Sequence, residues 1–332
     1  MDNISPLLTI ITTSYSIDRL KDILCLLDSI EKQTFHNLET IMVIEGDLDL
    51  YNEILSYSDR EMTLKPIVIF NNSKLGASSA RNLGIENAQG EIIAIVDDDV
   101  ELLPDWAEEM LKTYQDESVI GVTGPALPHW ENDSMSWFPD EFSWLWGGTL
   151  WNEWGEGTTE VSNVGGMNCS FRREAFEKAG GYLTSLKTLQ EGGWFQPTGE
   201  EVEFSLRVRR VTKQRIVFNP RVRVYHKVQR NQFRPNVIAK RSFRMGYLRN
   251  MAKHTNSDRK ARESVKKTEF ALLKRVLTRL LPDIMQSFLR QPIIAWRRLC
   301  ISVTAILFAA LGYLFYYLKP FNAWGEEKPG IH

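Results

Sequence analysis

The run Ile92-Ile93-Ala94-Ile95-Val96 ends in three consecutive aspartates, Asp97, Asp98 and Asp99. A short, continuously apolar run reads as a strand covered on both faces, the kind that a helix-flanked parallel sheet contains. In an open α/β sheet the crevice beyond the strand ends is where ligands bind, so the carboxylates are delivered to it. Clustered acidic oxygens suit a hard divalent cation, Mg²⁺ or Mn²⁺. The rival reading is an acidic loop capping the next helix, since Pro104-Asp105-Trp106 opens a helical pattern.

The preceding residues alternate between the two periodicities. Leu7 to Thr13, Glu39 to Ile44 and Lys65 to Asn71 read as strands, whereas Ile17 to Gln33, Tyr51 to Tyr57 and Ala77 to Asn87 read as helices. Such βαβ repetition builds a mostly parallel sheet with right-handed crossovers, whose loops after strands one, two and four face one crevice. The fold class is therefore α/β, and Thr12, Thr13, Tyr15, Glu45, Arg81 and the three aspartates are expected to converge. No Gly-x-Gly-x-x-Gly follows the first strand, and no Gly-x-x-x-x-Gly-Lys-Ser/Thr loop occurs. A nucleotide would be gripped by side chains and metal. Tyr15 can stack on a base, Glu45 can accept from base or ribose, and Arg81 can reach a carboxylate or phosphate. Each also has an ordinary reading, as a packed ring, a turn acid or a surface helix residue.

The net charge of −2 hides an asymmetry. Residues 1 to 237 carry 22 Lys+Arg and 36 Asp+Glu, whereas residues 238 to 298 carry 16 and 4. An acidic globular part argues against a nucleic-acid partner, and the basic segment argues for an anionic membrane surface. Cys25, Cys169 and Cys300 form no metal-ligand spacing, which fits a reducing compartment. Met1 to Thr9 lacks the pattern of a signal peptide, so a cytoplasmic catalytic part is expected.

Leu299 to Leu318 is a run of 20 residues without a charge, long enough to cross ~30 Å of hydrocarbon. Arg297 and Arg298 precede it, Lys319 follows, and Tyr313, Tyr316 and Tyr317 sit where an aromatic belt would lie. The positive-inside rule then gives a single-pass protein with its large N-terminal part cytosolic. Upstream, Phe270, Leu273, Val276, Leu277, Leu280, Leu281 and Ile284 recur at helical spacing among basic residues, with Pro282 and Pro292 expected to break the region into short helices. Such a segment lies in the membrane interface or packs on the catalytic part. The expected division is 1–230 catalytic, 231–298 basic helical, 299–318 transmembrane and 319–332 tail.

Several strings together carry a family resemblance. Thr9-Ile10-Ile11-Thr12-Thr13-Ser14-Tyr15, Gln33-Thr34-Phe35, Asn71 to Gly84 and Ala88-Gln89-Gly90-Glu91 running into the aspartates resemble the family 2 glycosyltransferases of the GT-A fold. Gly165 to Arg173, Gly180-Gly181-Tyr182, Gly199-Glu200-Glu201 and Asn219-Pro220 to His226 follow in the family's order, so roughly residues 7 to 230 are covered.

The resemblance implies a Rossmann-like mixed sheet and inverting transfer of a sugar from a nucleotide donor, usually a UDP-sugar, to an acceptor hydroxyl. Asp97 and Asp99 match the Asp-x-Asp pair, implying ribose and metal–diphosphate contacts. His226 matches a further metal position. Thr13, Tyr15, Glu45, Arg81, Asp97 and Asp98 are the implied nucleotide-sugar set. The usual base aligns with Glu201 where aspartate is commoner, which leaves Glu200 and Glu203 as alternatives. Those three acids also suit a helix N-terminus.

Two departures stand out. Glu45-Gly46-Asp47 replaces the common Asp-Asp-Gly-Ser, and the absence of Gln-x-x-Arg-Trp counts against a processive synthase. Between Pro128 and Trp154 lie six of the ten tryptophans: Trp130, Trp137, Trp144, Trp146, Trp151 and Trp154. They suit either an acceptor or lipid-facing lid or the packing of an insertion. Asn168, Trp130 and Trp144 are the expected acceptor and sugar pocket. Pro128-His129-Trp130 with Trp137 to Leu145 resembles archaeal transferases that add a hexuronic acid or hexose to a dolichyl-phosphate-linked glycan for protein N-glycosylation. The expected partners are a nucleotide-sugar, a lipid-linked glycan and a membrane surface. A transferase of capsule, lipopolysaccharide or exopolysaccharide assembly is the alternative, and an inactive sugar-nucleotide binding protein a remote one.

Overall fold

The computed structural model describes residues 8–132, 135–149, 157–186, 199–255 and 259–320. The first half alternates as its periodicities dictate. It runs β1 (Leu8–Ser14), α1 (Leu20–Glu31), β2 (Leu38–Glu45), α2 (Leu48–Glu61), β3 (Ile67–Asn71), α3 (Ala77–Asn87) and β4 (Ile92–Val96). After the aspartates come β5 (Val100–Leu102), α4 (Trp106–Thr113), β6 (Val119–Thr123) and β7 (Ala126–Trp130). Then follow β8 (Thr159–Val161), β9 (Asn168–Arg172), α5 (Arg173–Ala179), α6 (Glu200–Thr212), β10 (Arg215–Phe218) and β11 (Val224–Val228). Four helices close the chain: α7 (Pro235–Thr255), α8 (Arg259–Arg275), α9 (Leu281–Ser287) and α10 (Pro292–Leu318).

Eight strands form one mixed sheet in the order β3-β2-β1-β4-β9-β6-β10-β8, and a second sheet has the order β5-β11-β7. β1, β2, β3 and β4 run parallel, while β9 enters antiparallel between β4 and β6. All five residues of β4 are buried, as a central strand requires. The carboxyl ends of β1, β2 and β4 thus share one edge. Gln33 pins the segment beyond that edge, its amide donating to the Leu103 carbonyl (2.8 Å) and accepting from the Ala107 N–H (3.0 Å).

The Trp-rich insertion and the C-terminal helices build a core of their own. Met135, Phe138, Phe142, Leu145 and Trp146 pack with Val276, Leu280, Ile284, Ala295, Ile301 and Ala305, and Trp130, Trp137 and Trp144 lie against them. Trp151 and Trp154 lie outside the described residues. Arg298 donates to the Trp137 carbonyl (2.7 Å), and Arg275 pairs with buried Glu141 (2.8 Å). The insertion therefore works as the joint that docks these helices on the body.

Two expectations about this region change. Pro282 does not break the helix. A π-helical turn at Val276–Leu280 leads directly into α9, where Pro282 occupies the first turn and needs no donor. Pro292, by contrast, opens α10, which begins seven residues before the uncharged run and includes Arg297 and Arg298.

Among the described residues α10 is the one helix long and apolar enough to cross a membrane, yet one side of it is packed along α7. A Cβ on Gly246 would stand 1.9 Å from the Ala309 carbonyl oxygen, and one on Gly312 would stand 1.8 Å from that of Phe243. Only glycine lets the two backbones approach so closely. Gly312→Val is expected to lower folding stability by about 1–3 kcal/mol through overpacking. Val303→Ala on the exposed side should stay within about 0.5 kcal/mol. Thermal unfolding of both variants in detergent checks this.

Candidate active site

A cavity of about 820 Å³ opens at the carboxyl ends of β1, β2 and β4. Thr13, Tyr15, Glu45, Arg81, Asp97, Asp98 and Asp99 line it, as the strand-end argument expects, whereas Thr12 is buried and does not; Glu201, His226 and Trp144 also line it. Arg19, Lys74, Trp146 and residues of α7 and α8 line it as well.

His226 reaches the aspartates by strand register. β11 runs antiparallel to β5 with His226 opposite Val100, one residue past Asp99, and the Lys227 N–H donates to the Asp99 carbonyl (3.0 Å). His226 Nε2 consequently lies 3.5 Å from Asp99 Oδ1, and Trp146 stacks on the imidazole with ring centres 6.2 Å apart.

Two arginines hold the acids together. Arg81 on α3 is buried and places Nη1 3.0 Å from Glu200 and 3.3 Å from Glu201, with Nη2 3.3 Å from Asp97. Arg19, just before α1, pairs closely with Asp98, lies 3.3 Å from Asp99 and sits over the Tyr15 ring. Burial opposes the charge on Arg81, but Glu201, Glu200 and Asp97 raise its pKa well above the ordinary value. Burial pushes Asp98 up to about 7 against the pull of Arg19. Asp97 is raised by burial too, whereas Asp99, despite burial, is held below its usual range by His226 and Arg19.

α6 presents three acids in its first turn, and the structure separates them. The Glu203 carboxylate is taken up by Arg207 at 2.8 and 2.9 Å. Glu200 is only 1% exposed, and burial followed by the neighbouring charge of Glu201 pushes it up to about 8. Glu201 faces the cavity with its side chain 19% exposed. A Cβ on Gly166 would meet Glu201 Oε1 at 2.1 Å, so glycine there makes room for the carboxylate.

Two expected pocket residues point elsewhere. Asn168 accepts from Trp106 Nε1 (2.9 Å) and donates to the Val222 carbonyl (2.7 Å), so its amide is consumed in joining α4, β9 and the segment before β11. Trp130 packs on Trp146 and Phe233 and does not line the cavity. Sequence reasoning missed Arg19 and the α7 wall, and named Trp146 only as one of the six clustered tryptophans. The start of an amphipathic helix offers no mark that distinguishes Arg19 from a solvated residue.

Metal donors were sought in Asp97, Asp99 and His226. Among the described residues no three His, Cys, Asp or Glu side chains are gathered tightly enough to hold an ion by themselves. The donor types nevertheless fit Mg²⁺ or Mn²⁺, which bind through one or two carboxylates completed by substrate phosphates. His226 Nε2 is the nitrogen that faces Asp99, and Nδ1 is buried without a hydrogen-bond partner among the described residues.

The mixed sheet with an acid-lined cleft at its strand ends matches solved glycosyltransferases of the GT-A fold. A mannosyltransferase, PcManGT of Pyrobaculum calidifontis, in complex with GDP-Man and Mn²⁺, superposes with a TM-score of 0.62 at 17% identity, covering 94% of this chain and 88% of that one. S. aureus TarS 1-349 in complex with UDP gives 0.53 at 14% identity, covering 95% and 92%. The sequence profile described as glycosyl transferase family 2 matches residues 9–180. The chain belongs to glycosyl transferase family 2 and is a glycosyltransferase. It is 29% identical over 241 residues to a glucosyl-dolichyl phosphate glucuronosyltransferase of Haloferax volcanii, covering 72% of this chain and 75% of the relative. It is also 37% identical over 93 residues to a putative glycosyltransferase, EpsH, of Bacillus subtilis, covering 28% and 26%.

Arg81→Met would leave buried carboxylates without a counter-charge and should cost about 3–5 kcal/mol of stability. Adding Glu200→Gln should restore part of that loss. Melting temperatures of the single and double variants provide the comparison.

Proposed function

We propose that this glycosyltransferase moves one sugar, with inversion, from a nucleotide-sugar to a hydroxyl of a lipid-linked glycan at a membrane surface. The observation that carries the reading is the division of labour on α6. Glu201 opens to the cavity that the aspartates line, while Glu200 is sealed behind it on Arg81. A general base must reach the hydroxyl it deprotonates, and Glu201 is the acid so placed.

The acceptor oxygen attacks the anomeric carbon on the face opposite the nucleotide diphosphate. Its proton passes to Glu201 as the new carbon–oxygen bond forms. The bond to the diphosphate oxygen breaks, and that oxygen keeps the electron pair. Arg81 holds Glu201 in place through its 3.3 Å contact. Tyr15, half exposed at the rim, and buried Glu45 are placed to hold base and ribose, with Thr13 and Asp98 beside them. Asp97, Asp99 and His226 would hold a divalent cation, which when bound offsets charge on the departing diphosphate. The donor reading is supported by neighbours solved with GDP-Man and with UDP. The acceptor reading is supported by the Haloferax volcanii relative, whose name specifies a glucosyl-dolichyl phosphate. On this reading residues 1–230 form the catalytic unit, and the basic segment, the apolar run and the tail serve attachment to the membrane. Assignment to protein N-glycosylation rests on the resemblance of Pro128-His129-Trp130 and Trp137 to Leu145 to archaeal transferases of that kind.

Membranes containing the protein, incubated with labelled nucleotide-sugars and Mn²⁺ or Mg²⁺, should transfer label into the lipid extract. Asp99→Ala should abolish it. Glu201→Gln should bind donor normally and lose roughly 10²–10⁴-fold in turnover, the span typical of a general base, while Glu200→Gln stays active. Label confined to water-soluble glycan would overturn the lipid-linked acceptor, and an active Glu201→Gln enzyme would remove Glu201 as the base.

A further inference from the structure

The sequence suggests that the apolar run crosses the bilayer; the packing of α10 points to another arrangement. Its inner side is joined to α7 along most of the uncharged run. Asn250 Nδ2 donates to the Tyr313 carbonyl (2.9 Å), and Tyr247 Oη donates to the Lys319 carbonyl (3.0 Å). The rings of His254 and Tyr316 lie 5.3 Å apart, and those of Phe243 and Phe315 5.4 Å. At the other end Ile238 shares a core with Ile301 and Ala305.

α7 cannot follow α10 into hydrocarbon. Over that shared stretch it carries Lys240, Arg241, Arg244, Arg249 and Lys253. Its opposite side is a wall of the catalytic cavity, to which Arg241, Met245, Leu248 and Arg249 contribute. A helix cemented to the wall of a solvent-filled cleft would draw those cations and the cleft with it, and charged side chains at the bilayer centre are costly.

The outer side of α10 is bare. Val303, Ile306, Leu307, Leu311, Leu314 and Leu318 are exposed, and only 28% of its most apolar 18-residue window, of mean hydropathy 2.1, is buried. The preceding helical stretch, whose Val276, Leu280 and Ile284 pack in the same core as α10, leaves Phe270, Leu273 and Leu277 exposed. We propose that α10 lies along a lipid surface, its outer side sunk into one leaflet, and does not cross the bilayer.

Charge selects lipid as the occupant. Residues 238 to 298 carry 16 Lys+Arg against 4 Asp+Glu, and exposed Lys266, Lys267, Lys274, Arg279, Arg290 and Arg297 match anionic headgroups. A surface helix with an apolar side and flanking cations is the form that settles in the interface. One consequence is positional. α7 has α10 and the membrane on one side and the reaction cleft on the other, so the cleft sits within one helix diameter, about 10 Å, of the layer that carries α10. The inference extends the membrane-surface part of the proposed function.

The test is side-specific labelling of the full-length protein in sealed inside-out and right-side-out vesicles. In a Cys300→Ser background, exposed Cys25 marks the catalytic side. A second protein, Cys25→Ser/Cys300→Ser/Glu327→Cys, reports the C-terminal tail. A membrane-impermeant maleimide should label both positions in the same vesicle orientation. Tail labelling in the opposite orientation would establish a crossing helix and overturn the proposal. So would recovery of the protein in the soluble fraction with no binding to purified vesicles containing anionic lipid. The readout does not use activity, so a failure of the transfer assay and a failure of this arrangement are separately visible.

Discussion

Neutralising buried acid is the constraint on which the rest of the site depends. The strand-end edge gathers Asp97, Asp98, Asp99, Glu200 and Glu201, and acids so crowded and largely withdrawn from water are held beside cations. Arg81 bridges Asp97 at β4's carboxyl end to the start of α6, and Arg19 ties the start of α1 to Asp98 and Asp99. The two arginines set the relative positions of three segments far apart in sequence. Burial, joined at Glu200 by the charge of Glu201, raises Asp98 and Glu200 against the pull of these arginines, whereas His226 with Arg19 holds Asp99 down.

The second constraint is the antiparallel return of β11 beside β5. It carries His226 back to Asp99 and sends the chain directly into α7. From there the protein uses each surface twice. α7 is cavity wall on one side and seat for α10 on the other. The Trp-rich insertion supplies Trp144 and Trp146 to the cleft while Trp137, Phe138 and Phe142 pack with the C-terminal helices. The cleft wall and the seat of the apolar helix α10 are therefore built from the same packed layer.

Much of the first half was legible because local pattern and global position agree there. A strand such as Ile92–Val96 has no alternative but the middle of a sheet, and the residues at its end must share a crevice with those after β1 and β2. The strings around Gly165, Gly199 and Asn219 located Glu201 and His226 by order alone. Asn168 was misplaced because a motif shows which residues occur together, not which way each one points. Its amide is spent on Trp106 and the Val222 carbonyl. Arg19 was invisible because a cation opening a helix looks the same whether it meets water or carboxylates. Pro282 misled because a π-turn, which sequence periodicity does not reveal, absorbs its effect. The apolar run was legible as a helix long enough to span, but the charged α7 packed along it was not.

The most direct test of the account is spectroscopic. Mn²⁺ added to the protein with a nucleoside diphosphate should give a pulsed electron paramagnetic resonance spectrum with imidazole nitrogen modulation. That modulation should disappear in His226→Ala, and tight Mn²⁺ binding should be lost in Asp99→Ala. A spectrum without nitrogen modulation, unchanged by the His226 substitution, would contradict the assignment of Asp99 and His226 as the pair that meets the metal and the diphosphate.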